Sequence, residues 1–177
     1  MTQQHPTAPT TVQLPDYTNA DQEEILGGGD DPFGVASVGL TWLPKDLHFG
    51  VRHGGRLVAH AGLVRLPVGI GEADTEVMGV GGVAVAPEAR GRGLARLVLA
   101  AALDHARTLG PRHALLFCRP PLVPLYERLG WQPVDGDVRV EQPEGRVVTM
   151  PLRTMVMPLH PGADWPSGAV RLRSLPM

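Results

Sequence analysis

The chain has 177 residues, 43% of them hydrophobic, and a formal net charge of −2, which fits one α/β domain with a buried core. No apolar run approaches the ~18–20 residues of a membrane helix, and no basic stretch interleaved with aromatics offers a nucleic-acid platform. The single cysteine, Cys118, excludes an internal disulfide and argues against a zinc cluster.

The polar start, MTQQHPTAPTT, lacks the basic and apolar regions of a secretory signal, so residues 1–10 are expected to be a frayed tail and the compartment the cytoplasm. Thr11 to Leu14 then reads as an edge strand, and Asn19 or Asp21 as the cap of a short helix through Leu26, stopped by Gly27-Gly28-Gly29. Asp30 to Lys45 contains Pro32, Gly34 and Gly39 and reads as a loop over the site or one more helical turn at Val35 to Leu40. Leu47 to Arg52 and Arg56 to Leu66 flank His53-Gly54-Gly55 as a β-hairpin. Pro67 to Asp74 is predicted as a connection, and Thr75 to Val85 as a strand interrupted by Gly79, Gly81 and Gly82, the mark of a bulge or of a close approach.

Pro87 ends that strand, and Arg90-Gly91-Arg92-Gly93 supplies a turn in which two residues lack a Cβ. From Leu94 the apolar residues Leu94, Leu97, Val98 and Ala101 follow helical spacing, toward a stop at Gly110-Pro111. A glycine turn opening a helix leaves main-chain N–H groups unpaired at the positive end of the dipole, a place that suits phosphate, and Arg90 and Arg92 add charge. Residues 1–80 carry four basic and ten acidic side chains, residues 81–177 twelve and eight, a split that reads first as scattered solvated charges and second as a half that meets a polyanion.

After the helix, Ala114 to Cys118 is a continuous apolar strand, completing a parallel βαβ unit. Leu122, Leu125, Tyr126 and Leu129 share one face of a short helix closed by Gly130. Arg139 to Glu144 reads as a polar excursion, and Val147 to Met150 and Thr154 to Leu159 as final antiparallel strands. The domain is expected to span residues 11–160, with 161–177 a tail over the acceptor cleft.

The run ARGRGLA after a strand, followed about thirty residues later by LYERLGW, resembles the Gcn5-related N-acetyltransferases. Arg90, Gly93 and Ala95 occupy that family's pyrophosphate signature, and Tyr126, Gly130 and Trp131 its later one. The resemblance implies a mixed α/β fold: a twisted sheet of six or seven strands with helices on both faces and a splayed strand pair at its centre. It implies acetyl-coenzyme A as co-substrate, bound by Arg90, Gly91, Arg92, Gly93, Leu94 and Ala95 and by the strand edge at Val83 and Val85, with no metal. The acceptor it implies is a primary amine of a small molecule, attacking the thioester directly. Tyr126 becomes the acid for the departing thiolate, Glu76 and His60 come first as base or water relay, with Glu72 and Asp74 behind, and Trp42 and Trp165 are candidate acceptor-pocket residues. A homodimer is compatible with this reading; nucleic acid and membrane are not expected as partners.

A closer likeness, over residues 53–64, 82–95, 125–131 and, loosely, 154–159, is to the aminoglycoside 2′-N-acetyltransferase branch. That branch has a glutamate where this chain has Gly81, and an acidic residue and a tryptophan where this chain has Gly168-Ala169-Val170-Arg171. Polycationic aminosugars need such carboxylates, so they stand as an alternative acceptor, as does a second reading in which the chain binds the coenzyme without turnover.

Overall fold

The computed structural model describes residues 7–29 and 31–177; most of the tail expected at 1–10, and the first residue of the loop expected at 30–45, lie outside them. Ten strands form one mixed sheet: β1 (Thr10–Leu14), β2 (Leu47–His53), β3 (Arg56–Ile70), β4 (Ala73–Val85), β5 (His113–Cys118), β6 (Gln132–Pro133), β7 (Val138–Gln142), β8 (Arg146–Thr149), β9 (Arg153–Pro158) and β10 (Val170–Leu172). The spatial order is β6-β9-β5-β4-β3-β10-β7-β8, with β2 on the first half of β3 and β1 on β2. Among the described residues three α-helices pack on it: α1 (Asn19–Leu26), α2 (Leu94–Ala106) and α3 (Val123–Arg128).

Several elements form as their sequence dictates. In α2, Leu94, Val98, Leu99, Ala102, Leu103 and Ala106 are buried along one stripe, as a 3.6-residue period requires. α1 is capped by Thr18 rather than Asn19 or Asp21: the Thr18 hydroxyl accepts from the Asp21 amide while the Asp21 carboxylate accepts from the Thr18 amide, a reciprocal capping box.

Three expectations are corrected. Pro67 does not end β3, which continues to Ile70 and pairs with β4 throughout, Pro67 facing Glu76. The Pro67 carbonyl accepts from Arg173 just beyond β10, so its missing N–H falls where β10 has already ended, and the ladder loses nothing. The polar excursion at 139–144 begins as β7, where buried Val138, Val140 and Gln142 alternate with Arg139 and Glu141. The segment 161–177 contains β10, which pairs antiparallel with β3 and parallel with β7; with β1 and the short β6 it raises the strand count above six or seven.

The site is positioned by β4 and β5. They pair only at Met78–Ala114 and Gly79–Leu115, yet β4 runs on to Val85 and β5 to Cys118. Beyond that point the two strands part and leave their facing edges open. On its other side β4 stays on β3, but His60 faces Ala84 while Gly62 faces Gly81. Two residues of β4, Gly82 and Val83, therefore oppose one of β3, a β-bulge, and Gly82 takes φ +60° to make it.

Candidate active site

The turn ahead of α2 is the first half of the site. Gly91 and Gly93 adopt φ +78° and +75°, which bends the chain so that successive amides face one concavity. Gly93 is the N-cap and has no side chain to cap with. Among the described residues the amides of residues 91 to 96 have no main-chain partner, the first bond into the helix being Leu97 N–H to the Gly93 carbonyl at 3.1 Å. Five of these residues, all but Arg92, line a cavity of about 580 Å³. Arg90, Gly91, Gly93, Leu94 and Ala95 line it, as do Val83 and Val85 across the splay. Arg92 is exposed and does not line it; Arg96, Arg119 and Arg128, which sequence reasoning missed, do. Helical spacing places Arg96 on the first turn of α2 and could have flagged it; Arg119 and Arg128 reach the cavity only through the tertiary fold.

A second cavity, about 300 Å³, adjoins the first on the far side of the splay. Tyr126, Val83, Leu122, Phe33 and Arg119 line both, so Tyr126 stands at the junction. It is 6% exposed, packs edge-on against Trp131 at 6.2 Å, and its hydroxyl has no protein hydrogen bond among the described residues. Burial, then the neighbouring Cys118, pushes its pKa well above the ordinary tyrosine value, so it remains a proton donor at any working pH. Cys118 lines the second cavity, but burial pushes its thiol up to about 11, which removes it as a nucleophile.

Trp42 lines the second cavity, on a loop tied down at three points. The Gln142 amide accepts from Thr41 N–H at 2.8 Å and donates to the Thr41 carbonyl at 3.2 Å. Leu43 N–H donates to the Pro176 carbonyl at 2.6 Å, and Asp46 N–H to the Leu63 carbonyl at 2.8 Å. Trp165 lies elsewhere: it meets the buried His113 ring edge-on at 5.2 Å and lines neither cavity.

The two first-ranked bases are not brought to the junction. Glu76 is exposed, 3.8 Å from Arg65, and lines neither cavity; Glu72 and Asp74 are exposed at the same end of the sheet, Asp74 pairing with Arg173. Thirteen residues of β4 span more than 30 Å in extended form, so the start of the strand is remote from its bulge. His60 is buried behind the bulge with both ring nitrogens engaged. Its Nδ1 donates to the Gly82 carbonyl at 2.7 Å and its Nε2 faces His48 Nδ1 at 3.0 Å. Tyr17 stacks on the ring with centroids 3.6 Å apart. Desolvation outweighs the Gly82 bond and pushes His60 down to about 4, His48 and Lys45 adding repulsion. A neutral imidazole fixed at both ends holds the bulge in place. His48 and Tyr17 carried no sequence signal, because they meet His60 only in the fold.

The chain matches the acetyltransferase (GNAT) domain family over residues 42–134. It belongs to that family of acetyl-CoA-dependent N-acetyltransferases. Similar solved structures include a GNAT-family N-acetyltransferase of Escherichia coli in complex with CoA, at 18% identity and TM-score 0.59, covering 94% of this chain and 92% of that one. The ribosomal-protein-S18-alanine N-acetyltransferase of Escherichia coli has 18% identity and TM-score 0.57, covering 89% and 100%. A GNAT-family acetyltransferase of Brucella melitensis in complex with acetyl-CoA has 18% identity and TM-score 0.53, covering 92% and 94%. At these identities the likeness is one of fold. No curated protein matches the chain in sequence. No helix among the described residues is long and apolar enough to cross a membrane.

Proposed function

We propose that the enzyme acetylates the amine of a small molecule, with the donor in the larger cavity and the acceptor in the smaller. The observation that carries this reading is the row of six unpartnered amides at 91–96, opening beside a parted strand pair and a protonated tyrosine. Acetyl-CoA supplies the acetyl group as an activated thioester. The amides and the flanking Arg90, Arg96 and Arg128 bind its diphosphate. The free edge of β4 at Val83 and Val85 takes the amide-bearing arm as an added strand.

The amine nitrogen attacks the acetyl carbonyl, a C–N bond forms, and the C–S bond breaks. Tyr126 gives its proton to the departing sulfur, and main-chain N–H groups freed by the Gly82–Val83 bulge stabilise the developing oxyanion. The amine's surplus proton goes to water. No base is needed in the cavity itself: its largely apolar lining disfavours an ammonium by desolvation, so the acceptor reacts as the free amine. An aminosugar carrying several ammonium groups fits such a lining poorly.

The test joins binding and turnover. Titration with CoA is expected to shift the backbone amide resonances of residues 91–96, and thiol release from acetyl-CoA is expected on adding an amine acceptor. Unmoved amides would remove the cradle; shifted amides with no thiol released by any amine would favour the binding-only reading.

A further inference from the structure

The chain has eight aromatic residues, three Trp, two Tyr and three Phe, and half of them, Phe33, Trp42, Phe117 and Tyr126, line the acceptor cavity. They come from three separate parts of the chain: the loop ahead of β2, the end of β5 beyond its last pairing with β4 at Leu115, and α3. Only the fold brings them together. Phe33, Trp42 and Phe117 are half-buried, each keeping part of its ring uncovered, whereas Phe49 and Trp131 are buried in the core. Trp42 is held in place before any ligand arrives, because its backbone is fixed on both sides. Gln142, itself buried at 4% exposure, clamps the N–H and carbonyl of Thr41, and Leu43 N–H bonds to Pro176. The lysine of this wall is confined to a groove. Its stem crosses two glycines that face each other in register, Gly62 on β3 and Gly81 on β4. A Cβ on Gly62 would come 2.6 Å from Lys45 Cγ, and one on Gly81 2.6 Å from Cε, 3.2 Å from Nζ and 3.2 Å from the main-chain carbonyl carbon of Met177. Both positions must be glycine for the stem to pass, and the groove sets the ammonium beside the main chain of Met177. Arg119 stands at the junction of the two cavities. Val35, Val80, Leu116 and Leu152 are among the rest of the wall, which is apolar.

We propose that the acceptor is an arylalkylamine, one aromatic ring on a short uncharged arm that ends in the amine, and that Trp42 selects it by packing on the ring. Aromatic rings pair edge-on or offset with one another more favourably than the buried area alone accounts for, so a wall with half the chain's aromatic residues favours a ring over an aliphatic body of equal size. The cavity's volume of about 300 Å³ lies at the lower end of the range for small-molecule sites, room for one ring and its arm. With the ring against Trp42, the arm leads the nitrogen to the junction at Tyr126. The assignment rests on the smaller cavity being the acceptor site.

Matched acetylated products test it without interference from amine basicity. N-acetyl-2-phenylethylamine and N-acetyl-2-cyclohexylethylamine, titrated by calorimetry into the CoA-loaded enzyme, share the arm and differ only in whether the ring is aromatic. The phenyl compound is expected to bind about two- to tenfold more tightly. Trp42→Leu, which keeps apolar bulk and removes the indole, is expected to abolish that preference while the cyclohexyl compound binds as before. Equal binding of the two probes to the unaltered enzyme, tighter binding of the cyclohexyl compound, a preference that survives Trp42→Leu, or no binding of either up to millimolar concentration would each overturn the assignment. The comparison on the unaltered enzyme holds whether or not the variant folds. Parallel thiol-release assays with 2-phenylethylamine and 1,4-diaminobutane separate two failures. Turnover of the diamine in preference to the aromatic amine would strike the acceptor class and leave the acetyltransferase reading standing. Failure of CoA to bind would strike that reading itself.

Discussion

Tyr126 and His60 are both buried beside the bulge, and burial does opposite things for them. For Tyr126 it holds the hydroxyl protonated, so its loss is expected to be a loss of chemistry. Tyr126→Phe should cut kcat by about 10²-fold or more with CoA affinity nearly unchanged; full activity in a thiol-release assay would take the acid role away. For His60 burial holds the ring neutral. Its folded value, about 4, lies below the ordinary 6.5, so the unfolded chain binds more protons between those values. Stability from this residue is complete above about pH 6.5, falls as pH drops toward 4, and is flat below. The span corresponds to about 3 kcal/mol, with partly buried His48 adding to the same slope. Urea midpoints at pH 7 and pH 4.5 should differ less for His60→Phe than for the parent protein. An equal acid loss in both would disprove the burial argument. Because the acceptor is proposed to react as the free amine, kcat/KM should rise with pH through the acceptor's own amine pKa and shift when acceptors of different basicity are compared.

At the scale of elements, the cradle is a local device and was readable as one. Two glycines, flanking arginines and the start of an apolar helical stripe lie within a few residues of each other, so the turn and the helix it opens were legible in the sequence. Gly93→Asp tests it twice over. The left-handed backbone there, φ +75°, costs an L-residue about 1–2 kcal/mol, and the new carboxylate would face the diphosphate. CoA affinity should fall at least tenfold, measured by calorimetry, while the far-ultraviolet spectrum stays that of the parent. The lysine groove is the opposite case. Lys45, Gly62 and Gly81 are widely separated along the chain, and each is unremarkable alone. Gly81 reads in sequence as the absence of an acid, whereas in the fold it is the floor of a channel for a side chain. Adding a methyl there should cost roughly 1–3 kcal/mol by overpacking. Gly81→Ala should be markedly less damaging in a Lys45→Ala background, a coupling that thermal melts of the four proteins would reveal.

For the whole molecule, the two ends of the sheet are joined by one short strand between β3 and β7. In strand pairing the β7–β8 hairpin joins the remainder through β10, which lies between β7 and β3. Val170 and Leu172 are buried at 3% and 1% exposure, so Leu172→Ala should cost about 2–5 kcal/mol, read from a denaturation midpoint. Three residues in a stretch rich in proline, glycine and arginine carry no periodicity, which is why this strand was illegible while β5, a continuous apolar run, was plain. Non-local pairing of this kind is also slow to form. The residues proposed to grip the donor lie mostly within residues 83–129, with Leu26, Pro32 and Phe33 from earlier in the chain, so all are made before residue 130. The wall beside Lys45 closes only after residues 170–177 have been made and threaded into place. The protein would thus be able to hold its coenzyme before it has any room shaped for the molecule to be modified, a built-in order of maturation in which one partner's seat precedes the other's.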